Sequence, residues 1–248
     1  MPFFALIVIN AAMPPTLPPF SQPVTLLGGG EVDRETLSEA LSFAPRIVAA
    51  DGGANVARAF GHVPEWVIGD LDSADRRHLA ELDPSRVLFV AEQESTDFEK
   101  CLMRLRAPFI LGLGFTGLRF DHSLSACNAL VRHPGSTCLL VGRDDVIFHA
   151  PSSVSLDLAP GMRVSLFPMA EVSGRSEGLR WPIAGLTLAP GGRIGTSNEA
   201  TGRVEMEFDS HGMLVILPRI ALGAAIAALR PDCGQPAAPA GPAAARGR

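Results

Sequence analysis

Residues 24–73 read VTLLGGGEVDRETLSEALSFAPRIVAADGGANVARAFGHVPEWVIGDLDS. The apolar runs Val24–Leu27, Ile47–Ala50 and Glu65–Ile68 each end in glycine or in a glycine–aspartate pair. Between the first two, Asp33–Phe43 places Leu37, Ala40 and Leu41, with Ala44 just beyond, at helical spacing. A shorter helical stretch, from Ala54 to Phe60, separates the second and third. Short apolar runs alternating with amphipathic helices predict a mainly parallel sheet with helices on both faces.

The same alternation continues outward. Val87–Val90 predicts a strand, Thr96–Leu105 a helix, Phe109–Leu113 a strand, Asp121–Val131 a helix, and Thr137–Val141 closes the series. After Ala150 the pattern changes to short strands at Val154–Leu158, Arg163–Pro168, Leu186–Leu188, Arg203–Phe208 and Met213–Leu217, separated by Gly, Pro, Ser and Asp-Ser turns. No long helical stretch intervenes before Ile220–Leu229, which predicts a small antiparallel β-sandwich. The expected class is α/β: a parallel domain over 24–150, then a β-sandwich domain over 151–230. Residues 1–23 are expected to be a leader and proline-rich linker, with Phe3–Ile9 a short extra strand or a disordered leader. The Pro/Ala/Gly/Arg tail over 231–248 is expected to be disordered.

Composition narrows the function classes. With 47% hydrophobic and 19% charged residues, the chain is built to bury a core. A net charge of −5 argues against a nucleic-acid partner, which selects a basic face. No apolar run reaches membrane-spanning length. Cys101, Cys127, Cys138 and Cys233 form no CxxC pair, which suits a reducing cytoplasm.

Ligands of an open parallel sheet sit beyond the carboxyl ends of its strands. Those ends carry Gly28–Gly30, Asp51-Gly52-Gly53-Ala54-Asn55, Gly69-Asp70-Leu71-Asp72-Ser73, Glu92–Asp97 and Gly114–His122. In extended chain Asp70 and Asp72 would point to one side and face a hard cation such as Mg²⁺, or be two solvated acids. Thr96 and Glu99 have the spacing of a capping box. On that helix Phe98, Cys101, Leu102 and Leu105 form an apolar face opposite Asp97, Lys100 and Arg104. Lys100 is the one lysine among 21 basic residues, which favours a functional ammonium over an ordinary surface pair. Arg119 could fork onto phosphate oxygens; Asp121 could face the acidic cluster or cap a helix, and His122 follows. The glycine loops match neither GxGxxG nor GxxxxGK[ST], so NAD binding and P-loop chemistry lose support. Farther on, Trp181 offers a stacking face, and Ser197 and Asn198 offer hydrogen bonds to a heteroaromatic ring.

As an ordered set these motifs resemble the thiamine pyrophosphokinase family. The resemblance rests on Ala50–Asn55, Gly69–Ser73, Thr96–Lys100, Arg119–His122, Gly178-Leu179-Arg180-Trp181 and Thr196-Ser197-Asn198, and covers about residues 24–218. It implies transfer of the pyrophosphoryl group of ATP to thiamine, giving thiamine diphosphate and AMP, with Mg²⁺, in a homodimer whose active sites lie between subunits. It implies Asp70, Asp72 and Asp97 as Mg²⁺ ligands. Asp121 would be a further ligand or orient the hydroxyl, and Lys100 and Arg119 would balance the triphosphate. Asp51, Gly52, Asn55, Gln93, Thr96 and His122 would bind the nucleotide, and Trp181, Ser197 and Asn198 would hold thiamine. Two departures stand out: Glu92 where the family usually has Asp before Gln, and Leu118 after Gly117 where it has Gly or Arg. Rival readings are a metal-dependent nucleotide-sugar transferase and a non-catalytic thiamine or nucleotide sensor.

Overall fold

Strand β1 (Val24–Leu27) is buried at every position and pairs in parallel on both sides, with β2 (Arg46–Ala50) and β5 (Ile110–Leu113). A strand covered on both faces has no solvent side to mark with polar residues, so it reads as one apolar run. Its lone polar side chain, Thr25, donates to the Ala44 carbonyl at 2.6 Å. The computed structural model describes residues 16–230.

Around β1 the chain winds α1 (Arg34–Phe43), α2 (Gly53–Ala59), β3 (Trp66–Gly69), α3 (Arg76–Leu79), β4 (Val87–Phe89), α4 (Asp97–Arg104), α5 (Phe120–Arg132) and β6 (Cys138–Val141). The parallel strands lie in the order β6-β5-β1-β2-β3-β4. Side-chain alternation divides the core between the two faces. Leu27, Leu111 and Leu139 pack with α1 and α2, whereas Leu26, Ile110 and Leu140 pack with α4 and α5.

The sheet does not close at β6. Strand β7 (Asp145–His149) adds to β6 antiparallel, and β13 (Met213–Pro218) adds to β7. Beyond them come β8 (Ser153–Leu156), β9 (Arg163–Pro168), β10 (Val172–Leu179), β11 (Thr187–Leu188) and β12 (Gly195–Phe208), with α6 (Leu222–Leu229) at the end. The long β12 pairs with β9 through its first half and with β8 and β10 through its second. It therefore contributes to two sheets, which enclose Val164, Leu166, Val172, Leu179, Val204 and Met206.

The expected strand near each apolar run is present, within a residue or two. β7, β10 and the first half of β12 were not foreseen. The run in β7 is short and follows Arg143-Asp144-Asp145. In β10 the sequence VSGRSEGL carries glycine where β12 approaches closely: a Cβ on Gly178, whose φ is +75°, would lie 1.9 Å from the Arg203 carbonyl oxygen. The predicted boundary near residue 150 falls just after β7, which hydrogen-bonds to strands on either side of it. Residues 16–23 strap onto the end of α4, with the Leu17 and Phe20 amides donating to the Arg104 and Arg106 carbonyls. The expected strand at Phe3–Ile9 and the tail over 231–248 lie outside the described residues. Among the described residues no helix is long and apolar enough to cross a membrane.

One close approach fixes α2 against the central strand. A Cβ on Gly53 would fall 1.9 Å from the Leu27 carbonyl oxygen, a backbone atom that cannot rotate away. Gly53→Ala should cost about 1–3 kcal/mol of stability or more, as overpacking does, and lower the melting temperature measured by calorimetry. Gly135→Ala, which meets nothing within 4 Å, serves as the neutral control. Equal melting temperatures for the two variants would show that the β1–α2 junction yields.

Candidate functional site

The carboxyl ends of the parallel strands open into a cleft of about 680 Å³. Its lining includes Asp51, Gly52, Asn55, Asp70, Asp72, Gln93, Thr96, Asp97, Lys100, Arg119 and His122. Of the α/β residues to which the resemblance gives a binding or catalytic role, only Asp121 is absent from this lining.

Strands β2 and β3 run side by side with Ala50 opposite Ile68, so the chain leaves them with Asp51 and Asp70 close together. Asp51 turns the chain from β2 into α2 at φ +43° and is buried. Its carboxylate accepts the Ser73 and Ala74 amides, each at 3.2 Å, which folds the 70–74 loop back over it. Asn55 completes that anchorage: its Nδ2 donates to the Ser73 carbonyl and its Oδ1 accepts the Asp75 amide, both at 2.8 Å. The expected extended Asp-x-Asp geometry is absent, because Leu71 has φ +61°. Asp72 lines the cleft and accepts the Ser73 hydroxyl at 2.8 Å. Asp51, rather than Asp72, joins Asp70 and Asp97 in a group whose ligand oxygens lie within 4.8 Å of one another. The register of β2 and β3 is the signal that would have grouped Asp51 with Asp70.

Thr96 caps α4, accepting the Glu99 amide at 3.4 Å, but no reciprocal box forms. The Glu99 carboxylate instead accepts from His133 at 2.9 Å and from Arg132 at 2.6 Å. The polar side of α4 is also not a solvent face. Lys100 is 2% exposed and Arg104 6%, with Arg104 donating to the Lys100 carbonyl. The Lys100 ammonium lies 2.9 Å from Asp70 Oδ2 and 3.1 Å from Asp97 Oδ1. Gln93 Nε2 reaches the same Asp70 oxygen at 2.9 Å.

These contacts divide the three acids. The hydrogen bond from Lys100 holds Asp70 below the ordinary carboxylate value. Burial pushes Asp97 up, and burial together with the Asp97 charge pushes Asp51 up. Burial works against the charge on Lys100, yet its bonds to Asp70 and Asp97 keep its pKa above the usual lysine value. Grouped hard oxygen donors beside a fixed ammonium suit a divalent cation carrying phosphate oxygens. Arg119 and Asp121 pair with each other at 2.6 Å, about two-thirds exposed, at the mouth of the cleft. Leu118 and Phe120 beside them are 84% and 74% exposed.

Trp181, Ser197 and Asn198 come together elsewhere, where β12 passes the turn after β10. Asn198 Nδ2 donates to the Trp181 carbonyl at 2.7 Å and its Oδ1 accepts the Trp181 amide at 3.1 Å. Both ends of the amide thus hold the backbone of that turn. Ser197 adopts φ +62°, and its amide donates to Ser165 Oγ at 3.1 Å. The indole is 54% exposed, with the Arg180 guanidinium 4.9 Å over the ring. None of these three residues lines the cleft.

Lys100→Met should uncouple the two carboxylates. Breaking a buried pair costs about 3–5 kcal/mol, and less where, as here, the acids reach solvent. With the ammonium gone the carboxyl pKa values rise in the folded state, so the deficit against wild type should shrink as pH falls and the acids take up protons. Unfolding curves of both proteins across the acid range test this; a deficit that grows on acidification would contradict it.

Residues 37–140 match the family model described as "Thiamin pyrophosphokinase, catalytic domain", and residues 152–213 match "Thiamin pyrophosphokinase, vitamin B1 binding domain". The chain is 30% identical over 201 residues to Thiamine pyrophosphokinase 1 of Oryza sativa subsp. japonica, covering 65% of this chain and 75% of that one. The fold is similar to that of thiamin pyrophosphokinase from Candida albicans, with TM-score 0.66 and 18% identity over 80% of this chain and 89% of that chain. It is also similar to the Geobacillus thermodenitrificans enzyme, with TM-score 0.64 and 24% identity over 79% of this chain and 96% of that chain. With both family models matched in order and a relative of this identity, the chain belongs to the thiamine pyrophosphokinase family.

Proposed function

We propose that this protein transfers the pyrophosphoryl group of ATP to the hydroxyl of thiamine, giving thiamine diphosphate and AMP. The carrying observation is the single cleft that gathers Asp51, Asp70, Asp97 and Lys100 at adjoining strand ends beside glycine-rich loops. Pyrophosphoryl transfer asks a protein mainly to align the attacking oxygen, the β-phosphorus and the leaving AMP, and to neutralise phosphate charge.

The donor set fits Mg²⁺. A cation held by Asp51, Asp70 and Asp97, with Asp72 adjacent, would supply charge neutralisation on the triphosphate. Lys100 is already bonded to two carboxylates, so its work is to hold them in place and to offset their charge. Arg119 is exposed and, among the described residues, tethered only to Asp121, which leaves it able to swing onto phosphate oxygens. Gly29, Gly30 and Gly52 let the nucleotide approach the backbone. The free thiols of Cys101, Cys127 and Cys138 suit a reducing cytoplasm, where ATP is available.

Thiamine recognition falls to Trp181 with Ser197. Asn198 contributes by shaping the turn that presents the indole. That Trp181 does not line the cleft of its own chain supports a homodimer in which the indole of one subunit completes the cleft of the other. Exposed Leu118, Phe120 and Trp181 fit surfaces covered by a second copy.

Purified protein with ATP, Mg²⁺ and thiamine should form AMP and thiamine diphosphate in equal amounts, detected by chromatography. Tight thiamine binding without product would favour the sensor reading, and product from a nucleotide sugar would favour the transferase. Mixing inactive Trp181→Ala and Asp97→Asn proteins should restore part of the activity; no recovery despite proven subunit exchange would defeat the shared site. Protons compete with the cation at Asp51 and Asp97, whose pKa values are raised. The rise in melting temperature given by Mg²⁺ should therefore shrink as pH falls from about 8 to about 5, and should be much smaller in Asp97→Asn at every pH.

A further inference from the structure

The loop between β4 and α4 contains a carboxylate that bonds to its own loop. Glu92 does not line the cleft. Its Oε2 accepts the Glu94 and Ser95 amides, each at 3.0 Å, and its Oε1 accepts the Ser95 hydroxyl. A side chain that folds back onto amides two and three residues ahead fixes a turn locally. The residue enclosed by that turn is Gln93, whose amide donates to Asp70 Oδ2. Lys100 donates to the same oxygen. Asp70 is thus restrained from two sides, once by a buried ammonium on α4 and once by an exposed loop residue. The lysine is held by the packing of its helix. The glutamine has no such support: it is exposed, and the loop bonds that flank it run to Glu92.

We propose that Glu92 is a positioning residue for Asp70. By closing the 92–95 turn it presents Gln93 to Asp70 and so sets the affinity of the carboxylate group for a divalent cation. The inference builds on the function proposed above. It also gives a role to the glutamate that departs from the family's usual aspartate: its carboxylate closes the turn from outside the cleft lining.

The test is Mn²⁺ binding to the full-length protein, followed by electron paramagnetic resonance, alongside the Mg²⁺ concentration for half-maximal turnover. Glu92→Ala should weaken Mn²⁺ binding about tenfold, the scale seen when a partner behind a metal ligand is lost. The half-maximal Mg²⁺ concentration should rise in parallel, while KM for thiamine changes little. Glu92→Asp, which keeps two acceptor oxygens on a shorter stem, should recover most of the affinity. Because Glu92 acts through Gln93, the double variant with Gln93→Ala should bind no more weakly than Gln93→Ala alone. Additive losses, or unchanged Mn²⁺ affinity in Glu92→Ala, would overturn the proposal. Should Glu92→Ala unfold, Glu92→Gln keeps one acceptor oxygen and must fall between wild type and Gln93→Ala; wild-type affinity there would also overturn it. Mn²⁺ affinities order the variants whether or not thiamine is the substrate, so this inference and the proposed function fail separately.

Discussion

The Lys100 ammonium, 2.9 Å from Asp70 and 3.1 Å from Asp97, is the interaction on which the cleft depends. An ammonium at 2% exposure is costly unless it is paired, and its partners come from different elements, the end of β3 and the first residue of α4. The contact joins sheet to helix at the point where the chemistry is placed. It also leaves an imbalance, because Asp51 adds a third carboxylate against a single positive charge. That imbalance accounts for the split in acidity. Asp70, bonded to both Lys100 and Gln93, is stabilised as an anion, and Asp51 and Asp97 carry the unrelieved repulsion and burial. A site so arranged is already fixed in shape yet still short of positive charge.

Packing far from the charges supplies that fixed shape. Phe98, Cys101 and Leu102 seat α4 in the core on one face of the sheet, and Phe98 meets Phe115 with ring centroids 4.5 Å apart. The apolar side of α4 therefore sets the direction of its polar side. On the opposite face α2 rests on β1 through Gly53, which brings Gly52 and Asn55 to the cleft. The strand ends lie at one level because the ladders between β1, β2, β3 and β5 are parallel and in register. Precise placement of acidic groups thus follows from apolar periodicity several residues away.

This division explains what the sequence made legible. The parallel strands are buried on both faces, so they stand out as apolar runs, and each strand end announces itself by a change to Gly or Asp. The residues of the cleft could be collected in that way from Asp51 to His122. What could not be read was detail set by backbone turns and by pairing across the sheet. Alternation failed at Leu71 because a left-handed residue breaks the extended chain between Asp70 and Asp72. Helical spacing sets Asp97, Lys100 and Arg104 opposite the apolar face of α4, but it distinguishes polar from apolar, not solvent from cleft, so the burial of Lys100 and Arg104 has no local signature. β10 was hidden by glycines that let β12 approach, and by polar residues on its exposed side. The pairing of β7 with both β6 and β13 is a long-range fact without a local signature.

Asn198 carries the last step. From sequence it is a side chain offering hydrogen bonds to a ring, yet both polar ends of its amide are occupied by the Trp181 backbone. A buried amide so satisfied is a clamp, because withdrawing it to bind a ligand would leave the turn's own N–H and carbonyl unpaired. On the proposed reading, recognition at this turn rests on what the clamp leaves exposed, the Trp181 indole with Arg180 over it and the left-handed turn at Ser197. The two halves of the chain thus handle different physical problems. Parallel strand ends concentrate charge where rigid packing can hold it, and the antiparallel part displays a flat apolar surface where solvent can leave it. On the proposed reading the two halves meet across subunits, the charged cleft of one holding the triphosphate and the indole of the other supplying a flat apolar face for the ring of thiamine.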